Sequence, residues 1–170
     1  MRVIERYASA VHATSLKSDP ATYMSDTDVL GAMGLAARYE PLGVAIARLL
    51  SGGGAASAID TLTQLAIDRG HKTKYRINSV RACDLAKAVL AWYRHGTCQP
   101  CGGTGYARIA NTPVNGDECN HCDGVGKIPF DRQFSADVLP LAQWLSSEID
   151  RSQAAAAHAA MVALAPKLDL

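Results

Sequence analysis

Cys98-Gln99-Pro100-Cys101-Gly102-Gly103-Thr104-Gly105 and Cys119-Asn120-His121-Cys122-Asp123-Gly124-Val125-Gly126 are two copies of one pattern, Cys-x-x-Cys-x-Gly-x-Gly. Seventeen residues separate the two cysteine pairs. Pairs at this spacing predict a tetrahedral zinc site held by Cys98, Cys101, Cys119 and Cys122. Each pair bends tightly enough for two thiolates to grip one ion from one side. The glycines permit positive φ and a close turn of backbone amides toward the sulfurs. The repeat predicts two knuckles related by a pseudo-twofold axis. Other uses of four cysteines are two disulfides, a thioredoxin-like redox pair or an iron–sulfur cluster. The N-terminus lacks a secretory apolar region, and no βαβ setting for a redox pair is evident. Four thiolates close the coordination shell, so the zinc is expected to be structural, not catalytic. His95 and His121 lie beside the pairs, but four cysteines make them unnecessary as ligands.

Outward from this stretch the periodicity is helical. Residues 2–16, 27–38, 42–50, 56–69 and 79–94 are expected helices, with a last one from Ser135 or Asp137 to about 165. Ser25 or Asp26 is placed to cap the second, and Pro41 suits the first turn of the third. Gly31 and Gly34 either weaken their helix or allow a close helix contact. Ser51-Gly52-Gly53-Gly54 reads as a hinge or as a tight turn. Gly70 fits the position just past a helix end, and Asn78-Ser79 is a helix-start signal. Gly96 stops helix 79–94 two residues before the first ligand. Cys83 reads as a small core residue. The last helix carries the stripe Val138, Leu141, Leu145, Ile149, with Trp144 beside it and an alanine-rich second half. Strands are expected only inside the knuckle. The fold class is therefore mainly α, a helical bundle with an inserted zinc knuckle containing a short β-hairpin. Its parts are 1–95 helical, 96–130 knuckle, and 131–170 a C-terminal helix that packs back on the bundle or contacts a partner.

Charge is unevenly spread. The net charge is +1, yet residues 1–68 carry −2, residues 69–95 carry +6 and residues 96–170 carry −3. The basic block holds Arg69, Lys72, Lys74, Arg76, Arg81, Lys87 and Arg94 against Asp84 alone. Such a block beside a zinc knuckle points to a polyanion, the alternative being a solvated face. Candidate DNA-binding residues are Arg69, Lys72, Lys74, Arg76, Asn78, Ser79, Arg81 and Lys87. Lys and Arg suit phosphates, while Asn78, Ser79 and Arg81 at a helix start suit base edges. Helices 56–69 and 79–94 with a charged connection invite a helix-turn-helix reading, or a plain bundle with a basic loop. No Walker-type loop, His-Glu-x-x-His or Gly-x-Ser-x-Gly is present, and the histidines pair with no nucleophile, so no enzyme is expected. No run of 18 apolar residues exists, so no membrane span is expected.

The passage Leu90–Tyr106 with Cys119–Gly126 resembles two families. One is the Q-type late-gene antitermination proteins of lambdoid bacteriophages, which are similar in size, largely helical, and carry such a knuckle after a helix. The other is the cysteine-rich domain of the DnaJ co-chaperones, which has four repeats. This chain has two repeats, no His-Pro-Asp tripeptide, and basic helical flanks, so the Q resemblance is the better one. It covers roughly residues 85–130. It implies a transcription antitermination factor in the bacterial host cytoplasm. Its partners would be double-stranded DNA of a phage late promoter and host RNA polymerase, with no small-molecule substrate. The acidic flanks and the last helix are candidate polymerase surfaces. Alternatives are a DnaJ-like zinc-dependent chaperone or thiol-redox protein, or a structural zinc scaffold.

Overall fold

A computed structural model describes residues 7, 10–12, 25–73, 75–108 and 115–165. Its helices are α1 (Asp26–Ala36), α2 (Pro41–Leu50), α3 (Ala56–Thr73), α4 (Ser79–His95), the single turn α5 (Phe130–Gln133) and α6 (Leu139–Leu164). Strands β1 (Tyr106–Arg108) and β2 (Asn115–Glu118) pair antiparallel, Tyr106 with Glu118 and Arg108 with Asn115, with an irregular register between. The architecture is the one expected: mainly α, with a small hairpin inside a four-cysteine knuckle. Among the described residues, no helix is long and apolar enough to cross a membrane.

The spine is α6. Its buried stripe runs Leu141, Ala142, Leu145, Ile149, Ser152, Ala156, Ala160, Leu164, at the spacing that keeps one helix face inward. The first half of that stripe joins α2, α3 and α4 in the main core, around Ile46, Leu62, Ala86 and Val89. The second half joins α1 and α2 in a smaller core, around Val29, Met33 and Val44. The alanine-rich half of α6 therefore buries its inner face, and Met161 and Val162 remain exposed. Of the expected first helix, Tyr7, Ala10 and Val11 are helical; Tyr7 enters the smaller core and Ala10 is buried, whereas Val11 is exposed. The rest of that helix lies outside the described residues.

Local chemistry sets the ends. Ser25 caps α1 in a reciprocal box with Asp28: its hydroxyl accepts from the Asp28 amide, and its own amide donates to the Asp28 carboxylate. The run after α2 is a turn, not a hinge. Gly52, at φ 85°, lets its amide reach the Leu49 carbonyl while Gly53 reaches that of Arg48, which closes the helix end. Gly70 does not end α3, which continues to Thr73. It is glycine for a different reason. The chain doubles back over it, and a Cβ there would sit 2.8 Å from the Tyr75 carbonyl oxygen. The connection to α4 is thus shorter than expected, residues 74–78.

The close helix contact is also misplaced in the sequence reading. Gly31 and Gly34 have open space where a Cβ would be, whereas Gly43 of α2 lies against α6. Gly31→Ala is accordingly expected to stabilise the chain by about 0.5–1 kcal/mol, the helix-propensity gain at an unobstructed site. A thermal melt checks this; a lower melting temperature would contradict the open surface around α1.

Candidate metal centre and nucleic-acid interface

The four knuckle cysteines converge. Their sulfurs all lie within 4.8 Å of one another, with Cys98–Cys119 at 3.9 Å and Cys101–Cys122 at 3.8 Å. These distances are far beyond the ~2.05 Å of a disulfide. Four sulfurs at ~2.3 Å from one ion would stand about 3.8 Å apart on tetrahedral edges, so the cluster fits a single tetrahedral metal ion. All four residues are buried, the most exposed being Cys119 at 6%.

The glycines build the cage. In the first knuckle φ is 62° at Gly102, 87° at Gly103 and 81° at Gly105; in the second it is 50° at Asp123, 77° at Gly124 and 78° at Gly126. The two turns are therefore conformational copies. They also lock into each other. The Cys98 amide donates to the Gly126 carbonyl at 2.9 Å, and the Cys119 amide donates to the Gly105 carbonyl at 2.8 Å. This reciprocity is the pseudo-twofold relation that the repeat predicts. The amide of Gly126 donates to the Cys122 sulfur at 3.2 Å, an outer shell that orients a metal ligand. Burial pushes the Cys98 thiol up to about 12 and raises that of Cys122. Burial acts on Cys101 as well, but the amides of Gly105 and Gly103 outweigh it and bring that thiol down to about 6.

An aromatic bracket fastens the knuckle to the bundle. Trp92 of α4 donates its indole N–H to the Ile128 carbonyl at 2.8 Å, and its ring meets Phe130 edge-on at 4.7 Å. Phe130 in turn packs on Phe134, which enters the main core. The Ile128 amide returns to the Gly96 carbonyl at 2.8 Å, and Arg132 pairs with Asp123 at 2.7 Å. The four-cysteine knuckle is therefore fastened to the C-terminal end of α4, whose cap Gly96 lies two residues before Cys98.

The basic block lies mostly at the opposite end. Arg76, Asn78 and Arg81 line an open cleft of about 750 Å³ with His71, Tyr75 and Ile77, where α3 turns into α4. Ser79 and Lys72 are exposed nearby, and Lys74 lies outside the described residues. With 17 residues in α4, the cleft and the knuckle are roughly 25 Å apart along the axis, so the metal does not border the basic cleft. Three expected contacts are engaged elsewhere. Asn78 is the N-cap of α4, its side-chain oxygen accepting from the Arg81 amide at 2.8 Å. The Arg69 guanidinium lies over the Trp144 ring at 5.1 Å. Lys87 faces Asp84 at 3.8 Å on the exposed side of α4. Arg81 also has a partner, Asp137, at 3.3 Å. The Ser135 hydroxyl and, behind it, Arg81 hold the Asp137 carboxyl below its ordinary range. Cys83 is half-buried, not a core residue, and stands apart from the metal cluster.

Sequence reasoning missed Trp144, Asp137 and Tyr75 as parts of this surface. They line a second, smaller cleft of about 270 Å³ with Arg69, Thr73 and Pro140. The available signal was an aromatic residue placed just beside the apolar stripe of the last helix. Comparison with protein-family models and with curated proteins gives no match to this chain.

Proposed function

We propose that this chain is a zinc-stabilised transcription antitermination factor that binds promoter DNA and acts on RNA polymerase. The observation that carries the reading is the basic cleft at the start of α4, a helix whose far end is held by the four-cysteine centre. The ion proposed is zinc, because buried thiolates in tetrahedral array are its usual structural site. Cys98, Cys101, Cys119 and Cys122 would hold it, and when bound it would supply rigidity. With all four sulfurs engaged, no position is left for a reacting water. A thiol-redox role is less well supported, since the same sulfurs are buried and present no nucleophile to a substrate disulfide. On this reading Arg76, Arg81 and Lys72 neutralise phosphates while the N-terminal turn of α4 faces the bases.

The test has two stages. Binding to phage late-promoter DNA should fall steeply with salt, and Arg76→Ala should reduce the log–log slope by about 0.9, the share of one phosphate contact. Transcription by purified polymerase through a terminator should then show read-through that rises with the protein and drops in the Lys72→Ala, Arg76→Ala double variant. Promoter binding with baseline read-through would reject antitermination and leave a repressor or scaffold role. No promoter binding at low salt would reject the DNA reading itself.

A further inference from the structure

The two clefts beside α4 differ in chemistry but share a wall. Tyr75 lines both. Between them stands the Arg81–Asp137 pair, with Arg81 on the larger cleft and Asp137 on the smaller. The larger is open and basic. The smaller is a recess lined by Arg69, Thr73, Tyr75, Asp137, Pro140 and Trp144, with the Arg69 guanidinium over the Trp144 ring.

We infer that the two clefts form one site for an unpaired nucleic-acid strand, with phosphates on Arg76 and Arg81 and a base in the recess beside Trp144. The inference rests on the nucleic-acid reading above and names the form of ligand. A paired base offers only its edge in a groove, so a duplex cannot place a ring face in a recess between aromatic side chains. An unpaired base has two free faces, and proteins take them on aromatic rings and guanidinium planes next to a cationic track. Here the Arg69 guanidinium already lies over the Trp144 ring at 5.1 Å, and a base stacks by taking its place on that ring. Arg69, Thr73, Tyr75 and Asp137 bring polar groups to the recess beside the ring, where the edge of a stacked base would meet them. Asp137 competes with a phosphate for the Arg81 guanidinium and so weakens the hold of this site on a strand. Both members of the pair are more than half exposed, so the exchange needs no unfolding.

The experiment is fluorescence anisotropy of the zinc-loaded full chain with labelled oligothymidylate and, separately, a duplex of equal length. Trp144→Leu keeps an apolar side chain at the core edge but removes the ring. It should weaken oligothymidylate binding roughly five- to a hundredfold, the worth of one stacked base, and change duplex binding less than twofold. Asp137→Asn should tighten oligothymidylate binding and steepen its salt slope by about 0.7, one phosphate gained. Equal oligothymidylate affinity in Trp144→Leu and wild type, or equal losses on both ligands, would overturn the site and leave Trp144 as a cover for the core. If Trp144→Leu melts early, Asp137→Asn decides: unchanged affinity and slope would overturn the site. Duplex binding without oligothymidylate binding refutes this inference and spares the DNA reading, whereas binding of neither removes both.

Discussion

Cys98→Ser is expected to lose the bound metal and to open residues 96–130 to protease. Among the described residues, the knuckle has no apolar core of its own beyond its cysteines, which form a separate buried cluster. Its stability must therefore come from the ion and from the backbone bonds that the ion holds in register. Structural zinc contributes on the order of 10 kcal/mol in small modules, comparable to the whole net stability of a domain. Serine supplies a poor ligand and leaves the Cys98–Gly126 amide bond without its anchor. Metal analysis and limited proteolysis check the outcome, with Cys83→Ser as the control that keeps its metal. Full metal content with wild-type protease resistance in Cys98→Ser would show that the cluster does not hold the ion.

Gly43→Ala should destabilise the bundle by about 3 kcal/mol, at the upper end of overpacking costs. Two effects oppose each other. Alanine is the better helix former by about 1 kcal/mol. Against this, its Cβ would lie 2.0 Å from the Ser152 carbonyl oxygen and 2.7 Å from the Ala156 Cβ. The blocking atoms are helix backbone and a methyl group, neither of which can swing aside. The crossing of α2 and α6 must widen, and both cores lose packing because both helices serve both. For a chain of 170 residues the melting temperature should fall by roughly 6–12 °C. An unchanged melt would mean that α2 and α6 do not approach as described.

The contrast between Gly43 and Gly31 shows what was legible in the sequence and what was not. The cysteine cage could be read because its ligands come as two local pairs, and Gly103, Gly105, Gly124 and Gly126 mark the conformation within each. The helices could be read because apolar residues recur at their own period. Gly43 escaped notice because nothing local distinguishes it; its need for a bare backbone comes from Ser152, more than a hundred residues away. The end of α3 was misjudged for the same reason, since Gly70 answers to the returning Tyr75 carbonyl and not to the helix end. The start of α6 was placed early because residues 135–138 form a turn of their own, in which the Val138 and Leu139 amides both reach the Ser135 carbonyl before the helix begins. The basic block was legible as charge. Its division between a cleft and side-chain partners was not, because Asp137 and Trp144 reach it only through the docking of α6.

The spine has a consequence for the order in which the chain assembles. The hairpin of α3 and α4 closes over residues 74–78, a short loop with a small entropic cost. Helices α1 and α2 find most of their burial on α6, which begins roughly a hundred residues after α1 ends. Contacts of that separation form late and slow the search. The first species to form should thus be the α3–α4 hairpin, on which α2 can lay its main-core side while α1 waits, unpaired and sticky, until α6 arrives. A chain interrupted before Leu139 would display the apolar face of α1 and the Val44–Ala47 side of α2 without their cover from α6, and chaperone capture or aggregation would be its fate.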